Sequence, residues 1–110
     1  MSRRKVVAPA NFWRNVEGLG TFRTEHTSGF ERAIAKLQDD VLPLLRQHPS
    51  VGRLYGPGRP IIEKIVSRLG DGVLREALID EYVMLYLVSA RQIFLLSLRH
   101  GRELTYDFGD

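Results

Sequence analysis

The stretch that decides the fold runs from Val73 to Leu98 and reads VLREALIDEYVMLYLVSARQIFLLSL. It contains three runs rich in aliphatic and aromatic residues, at 73–79, 82–88 and 91–98. Two-residue connections, Asp80-Glu81 and Ser89-Ala90, separate these runs. Apolar runs with such short connections are typical of β-hairpins, so the sequence predicts a three-stranded antiparallel meander.

The second and third runs are apolar on both faces of the predicted sheet, because successive side chains of a strand point to opposite sides. The second run places on one face Tyr82, Met84, Tyr86 and Val88, and on the other Val83, Leu85 and Leu87. The third run places Ile93 and Leu95 opposite Phe94, Leu96 and Leu98. Helices of the long N-terminal part can cover one face. The second face needs a cover too, either the 60–69 segment, whose apolar residues fit a helical stripe, or a partner protein.

The segments before the meander carry helical patterns after a short strand. That first strand is predicted over Lys5–Ala8, and a short helix is predicted over about 12–19. A longer helix is predicted over 28–47, because apolar residues recur at three- and four-residue steps from Phe30 to Leu45. Pro43 should kink this helix or break its last turn. Helices followed by hairpins predict an α+β fold, in which an N-terminal helical hairpin packs on a small antiparallel sheet.

Length and composition predict a single domain over residues 1–110, with 44% hydrophobic and 26% charged residues. The chain has no cysteine, which excludes disulfides and cysteine-ligated metals.

No apolar stretch approaches the ~20 residues of a membrane span, and the basic start is too short for a secretory signal, so a cytoplasmic protein is predicted. Sixteen Lys and Arg against thirteen Asp and Glu give a net charge of +3, which is compatible with an acidic protein partner or nucleic acid.

The sequence predicts neither a cofactor nor a metal ion. Its three histidines, His26, His48 and His100, are too scattered for metal-ligand spacing. The glycine-rich stretch 52–60 precedes no Lys-Ser/Thr pair and is predicted to be an ordinary loop, not a phosphate-binding P-loop.

Three local patterns follow one another in the second part of the chain. His48–Arg53 comes after the long helix with the spacing P-x-x-G-R. Leu74-Arg75-Glu76 is followed by Tyr82–Tyr86, with the spacing Tyr-x-x-x-Tyr. Leu98–Glu103 is a basic strand exit, and Tyr106 follows it. In this order, over residues 30–106, the patterns resemble the RelE/ParE superfamily of toxins from type II toxin–antitoxin pairs.

The resemblance implies a toxin that a cognate antitoxin holds inactive, with three alternatives for its action. RelE-like members cleave messenger RNA on the ribosome, whereas ParE-like members poison DNA gyrase, and a binding inhibitor of that kind would do no chemistry. An inert family member kept as a small interaction domain is the third alternative. Antitoxins of the family tend to be acidic and would suit an apolar sheet face, for which the candidate residues are Tyr82, Met84 and Tyr86.

For a nuclease, the resemblance implies active residues around the last strand. Cutting RNA by its own 2′-hydroxyl needs a proton acceptor, a proton donor and positive charge beside the phosphate. The candidates are His100, Arg102 and Tyr106 for catalysis, and Arg75 and Arg99 for binding RNA phosphate. The sequence departs from the RelE-like pattern, because Val83 stands where those nucleases have an arginine, paired lysines are missing, and Glu76 would repel phosphate. The RelE-like catalytic set is therefore incomplete, and the sequence does not decide whether the chain is an enzyme.

Overall fold

A computed structural model of the chain describes residues 4–22, 27–55, 60–70, 72–103 and 106. Its strands are β1 (Lys5–Val7), β2 (Arg53–Leu54), β3 (Val73–Ile79), β4 (Tyr82–Val88) and β5 (Gln92–His100). Its helices are α1 (Ala10–Phe22), α2 (Thr27–Lys36), α3 (Leu42–Gln47) and α4 (Pro60–Leu69). The fold is α+β, as predicted. Within these residues, no helix has both the length and the apolar character needed to cross a membrane.

The five strands form one mixed sheet in the order β1-β5-β4-β3-β2. Strands β3, β4 and β5 are successive antiparallel neighbours, which confirms the predicted meander. Strand β1 pairs with β5 in parallel, with Val6 opposite Ile93, so the prediction of a wholly antiparallel sheet was wrong at this edge. The apolar pattern of a strand predicts which residues it buries but does not fix the direction in which it pairs.

Strand β2 was predicted to be part of a loop. It pairs antiparallel with β3, with Arg53 opposite Glu76 and Leu54 opposite Arg75. A strand of two residues has no alternation that could reveal it in a sequence, and both of its residues are exposed. Residues 56–59 of the predicted glycine-rich loop, and His26, lie outside the described residues.

The two faces of the sheet have separate cores. Helices α1, α2 and α3 cover one face, here called the helix face, whose buried side chains include Phe12, Leu37, Leu45, Met84 and Tyr86. Helix α4 covers the other, the α4 face, with Ile62 buried and Ile65, Val66 and Leu69 packed beside it on Val83, Leu85 and Leu87. Of the two predicted alternatives, the chain itself therefore supplies the cover of the second face.

A β-bulge in β5 changes the side on which its last residues lie. The register between β4 and β5 shifts between Leu85 and Tyr86, and Leu98 pairs with Met84 in the helix-face core. The prediction that Leu98 shares a face with Leu96 was therefore wrong, since one extra residue in a strand reverses the alternation beyond it. The buried Asn15 of α1 stabilises the bulge, because its Oδ1 accepts hydrogen bonds from the Leu98 amide at 2.6 Å and the Ser97 hydroxyl at 3.2 Å.

The long helix is interrupted before Pro43, and the interruption takes the form of a wider helical turn. A π-helical segment, Leu37–Val41, joins α2 to α3, and the Leu42 amide donates to the Leu37 carbonyl. A proline at position 43 removes one helical donor and crowds the carbonyl four residues before it, so a wider turn ahead of the proline relieves the clash. The helix then continues to Gln47, followed by a 3-10 turn, Pro49–Val51.

Candidate functional site

The first polar network lies on the helix face, where the P-x-x-G-R loop meets β3 and β4. The Tyr86 hydroxyl donates to the Pro49 carbonyl at 2.9 Å and accepts from the Gly52 amide at 3.0 Å. The Arg75 Nη1 donates to the Gly52 carbonyl at 2.7 Å and the Ser50 carbonyl at 3.2 Å. Two of the three family-like patterns thus meet in one network, here called the loop clamp, which fixes the loop against the sheet.

Gly52 is required in the loop clamp because the loop passes very close to the sheet. A Cβ atom at this position would lie 2.5 Å from both the Glu76 carbonyl and the Tyr86 hydroxyl, much closer than van der Waals contact allows. The backbone at Gly52 is extended, with φ −75°, so close approach and not conformation explains the glycine.

The second polar network lies on the α4 face around the buried carboxylate of Glu76. Arg53 Nε lies 3.0 Å from Glu76 Oε1, and Arg99 Nη2 lies 3.6 Å from Glu76 Oε2. The Tyr106 hydroxyl also donates to Glu76 Oε2. In this group, here called the Glu76 cluster, two arginines neutralise a buried carboxylate and a phenol donates a hydrogen bond to it.

Tyr106 is held as a neutral donor in the Glu76 cluster. Burial raises its pKa well above the ordinary value, and the hydrogen bond to Glu76 and the charge of that carboxylate raise it further, against a smaller opposing effect of Arg99. A phenol with a raised pKa keeps its proton at neutral pH, so it is a poor general base. The Tyr106 ring also contacts Tyr55 edge to face, at a centroid distance of 6.1 Å.

The two Nη atoms of Arg99 are engaged by the chain's own groups. Its guanidinium carbon lies 5.0 Å from the centroid of the Tyr106 ring. Its Nη1 donates to the Glu103 carbonyl at 2.7 Å and lies 3.3 Å from the carbonyls of His100 and Gly101. With 15% of its side chain exposed and Glu76 beside it, Arg99 stabilises the turn after β5 and offers little charge to an RNA phosphate.

His100 lies on the helix face, packed edge to face on Tyr82 with the ring centroids 5.4 Å apart. Its Nδ1 accepts from the Arg102 amide at 3.1 Å, so the neutral ring carries its proton on Nε2. That Nε2 lies 3.5 Å from a Glu81 carboxylate oxygen. The imidazole is thus oriented by contacts with the β3–β4 turn and with the turn after β5.

The predicted catalytic residues are not brought together by the fold. His100 packs on Tyr82 in the helix-face core, whereas Tyr106 belongs to the core of the α4 face, and Arg102 is exposed in the turn after β5. The two arginines predicted to bind phosphate are separated as well, because Arg75 belongs to the loop clamp and Arg99 belongs to the Glu76 cluster. The sheet itself stands between the two halves of the predicted nuclease site.

The predicted antitoxin-binding residues are core residues. Tyr82, Met84 and Tyr86 are 2%, 0% and 0% exposed beneath the helices, so the folded chain presents none of them to a partner. The alternation of β4 correctly placed all three on one face, but it could not show that α1, α2 and α3 fill that face.

Sequence reasoning also missed the roles of Glu76, Arg53 and Asn15. Glu76 was considered only as a residue that repels phosphate, and it proves to be the centre of a buried cluster. The signal in the sequence was an acidic residue within a largely apolar strand, since a carboxylate needs a partner if it is buried. Its partners come from β2, β5 and residue 106, and only the strand order brings these segments to β3.

The described part of the chain has no group of three or more His, Asp or Glu residues that could hold a metal ion. No protein-family model matches the chain, and no curated protein matches it in sequence.

Proposed function

We propose that this chain is a growth-inhibiting toxin of the RelE/ParE type, which acts in the cytoplasm by binding its target and is neutralised by a cognate antitoxin. The single observation that favours binding over RNA cleavage is the separation of His100 and Tyr106 on opposite faces of the sheet. General acid–base catalysis requires both groups within hydrogen-bonding reach of one substrate, and this arrangement does not provide that.

The toxin part of the proposal is supported by the agreement between the sequence patterns and the fold. The patterns that carry the resemblance lie on a chain predicted to be α+β with a C-terminal meander, and the chain has an α+β fold with that meander. The P-x-x-G-R loop and the Arg75 and Tyr86 positions, which carried the resemblance, contact one another directly in the loop clamp.

The binding part of the proposal is supported by the state of each candidate catalytic group. Tyr106 keeps its proton and donates a hydrogen bond to Glu76. The charge of Arg99 is balanced by the same carboxylate. Of the two ways to inhibit growth that the resemblance implies, inhibition of DNA gyrase is the one that needs no chemistry from these residues, so gyrase is the target we propose.

The first test is inducible expression of the chain in bacteria that lack a neutralising partner. We expect growth arrest together with the accumulation of gyrase–DNA cleavage complexes, while messenger RNA remains intact. Normal growth, with the folded chain present at a level confirmed by purification and circular dichroism, would contradict the proposal.

The second test separates binding from cleavage with the double variant His100→Ala/Arg102→Ala. We expect it to arrest growth as the natural chain does, because neither side chain takes part in chemistry. The control is Lys64→Ala/Arg68→Ala, which also removes two basic groups, from exposed positions of α4. Loss of arrest and of message cleavage in the first variant only, at equal thermal stability, would support the ribosome-dependent nuclease instead.

A further inference from the structure

A narrow cleft opens at the β1 edge of the sheet, where the two cores of the molecule meet. It has a volume of about 160 Å³ and lies between the start of α1, the end of α4 and the middle of β5. Phe12 and Leu95 line it from the helix-face core, and Leu96 lines it from the core of the α4 face. It is called the edge cleft below.

The edge cleft lies where β1 stops pairing with β5. The parallel pairing extends only as far as Phe94. Pro9 follows β1, and its carbonyl accepts from the Phe12 amide at 2.9 Å in the first turn of α1. The chain thus leaves the sheet for the helix face, and within the described residues no strand lies beside the rest of β5 on this side. Helix α4 packs on the opposite face, so the edge between the two helical layers stays open.

The β-bulge of β5 lies at the edge cleft. Tyr86 pairs with Leu95 and Leu85 pairs with Ser97, so Leu96 is the extra residue of the bulge. Bulges redirect side chains and are frequent at sheet edges and beside functional sites. Here Leu95 and Leu96 both line the cleft, although they belong to the cores of different faces.

The inner walls of the edge cleft are apolar. Phe12, Leu95 and Leu96 are buried, and two half-buried residues of α4, Ile65 and Leu69, line the cleft with them. Water finds few polar partners between such walls, whereas an apolar group gains contacts there. A protein cavity of about 150 Å³ with similar walls holds a benzene molecule. The edge cleft therefore suits an apolar group about the size of one benzene ring.

The polar side chains of the edge cleft stand at its mouth. Asn11 and Arg68 both line the cleft and are both exposed. Arg68 has no ion-pair partner among the described residues. A guanidinium binds a carboxylate through two parallel hydrogen bonds, and the side-chain amide of an asparagine adds further donors. The mouth of the cleft is therefore suited to a carboxylate.

The other charges of α1 and α4 agree with an anionic ligand. Arg14 and Lys64 are exposed and lie three or four residues from the two mouth residues, so they share the same helix flanks. The one acidic residue of each helix, Glu17 and Glu63, lies about 120° or 140° away round the helix axis, at roughly 3.6 residues per turn. Asp71 lies outside the described residues. The described charges of the two helices thus make the mouth positive.

We propose that the edge cleft binds a small organic carboxylate whose apolar part is about the size of a benzene ring. The apolar part packs on Leu95 and Leu96, and the carboxylate pairs with Arg68 at the mouth. A neutral aromatic compound fits less well, because it gains nothing from Arg68. A second copy of this chain fits less well, because a two-fold contact would bring the cations of the two mouths together. The inference goes beyond the proposed toxin function and does not depend on it.

The test is an NMR titration of the purified full chain with phenylacetate, a carboxylate of this size. We expect saturable shifts of the Phe12, Leu69 and Leu96 amides, with a dissociation constant of about 1 mM or lower. Phenylacetamide, which has the same shape but no charge, should bind about fivefold or more weakly. Phenylacetate should also raise the unfolding temperature of the chain, because it binds the folded state.

Two variants assign the binding to the edge cleft. Arg68→Gln changes an exposed side chain and should weaken phenylacetate binding about fivefold or more, while phenylacetamide binds as before. The matched control is Arg32→Gln, which removes the same charge from an exposed position of α2 and should leave both affinities unchanged. Ile65→Phe places a ring inside the cleft and should abolish binding of both compounds, with circular dichroism to verify that the variant is folded.

Three results would overturn the proposal. The first is a natural chain without saturable shifts, or with shifts that lie away from the edge cleft. The second is equal affinity for phenylacetate and phenylacetamide, or an equal loss in Arg68→Gln and Arg32→Gln, since the mouth would then not select a carboxylate. The third is a dimer, seen by sedimentation velocity, that dissociates in Ile65→Phe, since this would make a second copy the occupant. Growth inhibition is measured separately, so a failure here is distinguishable from a failure of the proposed function.

Discussion

Arg75 and Glu76 are neighbours in β3, and the two faces of the sheet use them in different ways. On the helix face, Arg75 and Tyr86 bind main-chain groups of the loop in the loop clamp. On the α4 face, Glu76 is surrounded by Arg53, Arg99 and Tyr106. The loop clamp satisfies polar groups of the backbone, whereas the Glu76 cluster balances a buried charge. The first should be sensitive to geometry, and the second to the loss of its buried charge.

The largest effect is expected from removing the charge of the Glu76 cluster. In Glu76→Gln the shape is kept, but the half-buried Arg99 loses its counter-charge, and we expect the free energy of unfolding to fall by about 3 kcal/mol. Urea denaturation followed by circular dichroism measures this difference.

The matched control for this variant is Arg53→Gln. The Arg53 side chain is 59% exposed, so its ion pair with Glu76 is screened by water and contributes less than about 1 kcal/mol. If Arg53→Gln destabilised the chain as much as Glu76→Gln, the charge balance would depend on the exposed partner and the contrast between the two arginines would be wrong.

A smaller effect is expected from Tyr86→Phe in the loop clamp. The variant removes the hydroxyl that joins the Pro49 carbonyl to the Gly52 amide and leaves both groups without this partner. We expect a loss of about 2 kcal/mol, measured by the same denaturation, together with faster hydrogen exchange at the Gly52 amide. Unchanged exchange at Gly52 would show that the clamp does not hold the loop.

Among the variants of buried groups, Tyr106→Phe is expected to have the smallest effect at neutral pH, about 1.5 kcal/mol, because it removes one hydrogen bond to a carboxylate. Its signature lies at alkaline pH. Because the pKa of Tyr106 is raised above 10.0 in the folded chain, the folded state keeps a proton that the unfolded state loses above that pH. Folding stability should therefore fall as pH rises above 10, by up to about 1.4 kcal/mol per pH unit for this one group.

The variant Tyr106→Phe should lose that contribution and show a shallower alkaline decline than the natural chain. Thermal unfolding between neutral pH and pH 11 measures both slopes, and lysines contribute equally to the two proteins. Parallel declines would mean that Tyr106 ionises with the same pKa in the folded and unfolded chains.

Much of the fold could be predicted because its elements have strong local signals. The runs at 73–79 and 82–88 coincide with β3 and β4, and the stripe at 60–69 coincides with α4. The predicted third run differs from β5 by one residue at its start and two at its end. The parallel pairing of β1, the two-residue β2 and the bulge in β5 could not be predicted, because each depends on which strand lies alongside.

The candidate site was less predictable than the fold. The sequence predicted a catalytic group of His100, Arg102 and Tyr106 and phosphate binding by Arg75 and Arg99, because the resemblance implies active residues around the last strand. In the folded chain His100 and Arg99 are neighbours that lie on opposite faces, and Arg99 instead meets Glu76 and Tyr106. The face of the sheet on which a residue lies, and the residue opposite it on the next strand, are decided by the tertiary structure.

The sequence by itself determined the α+β class, the meander and the need to cover two apolar faces, because side-chain alternation and helical periodicity are local consequences of backbone geometry. Tertiary structure decided which segment covers each face, which arginines are neutralised by Glu76, and which side chains line the edge cleft. These outcomes depend on strand order and register, which bring together residues that are distant in the chain and that no local pattern relates.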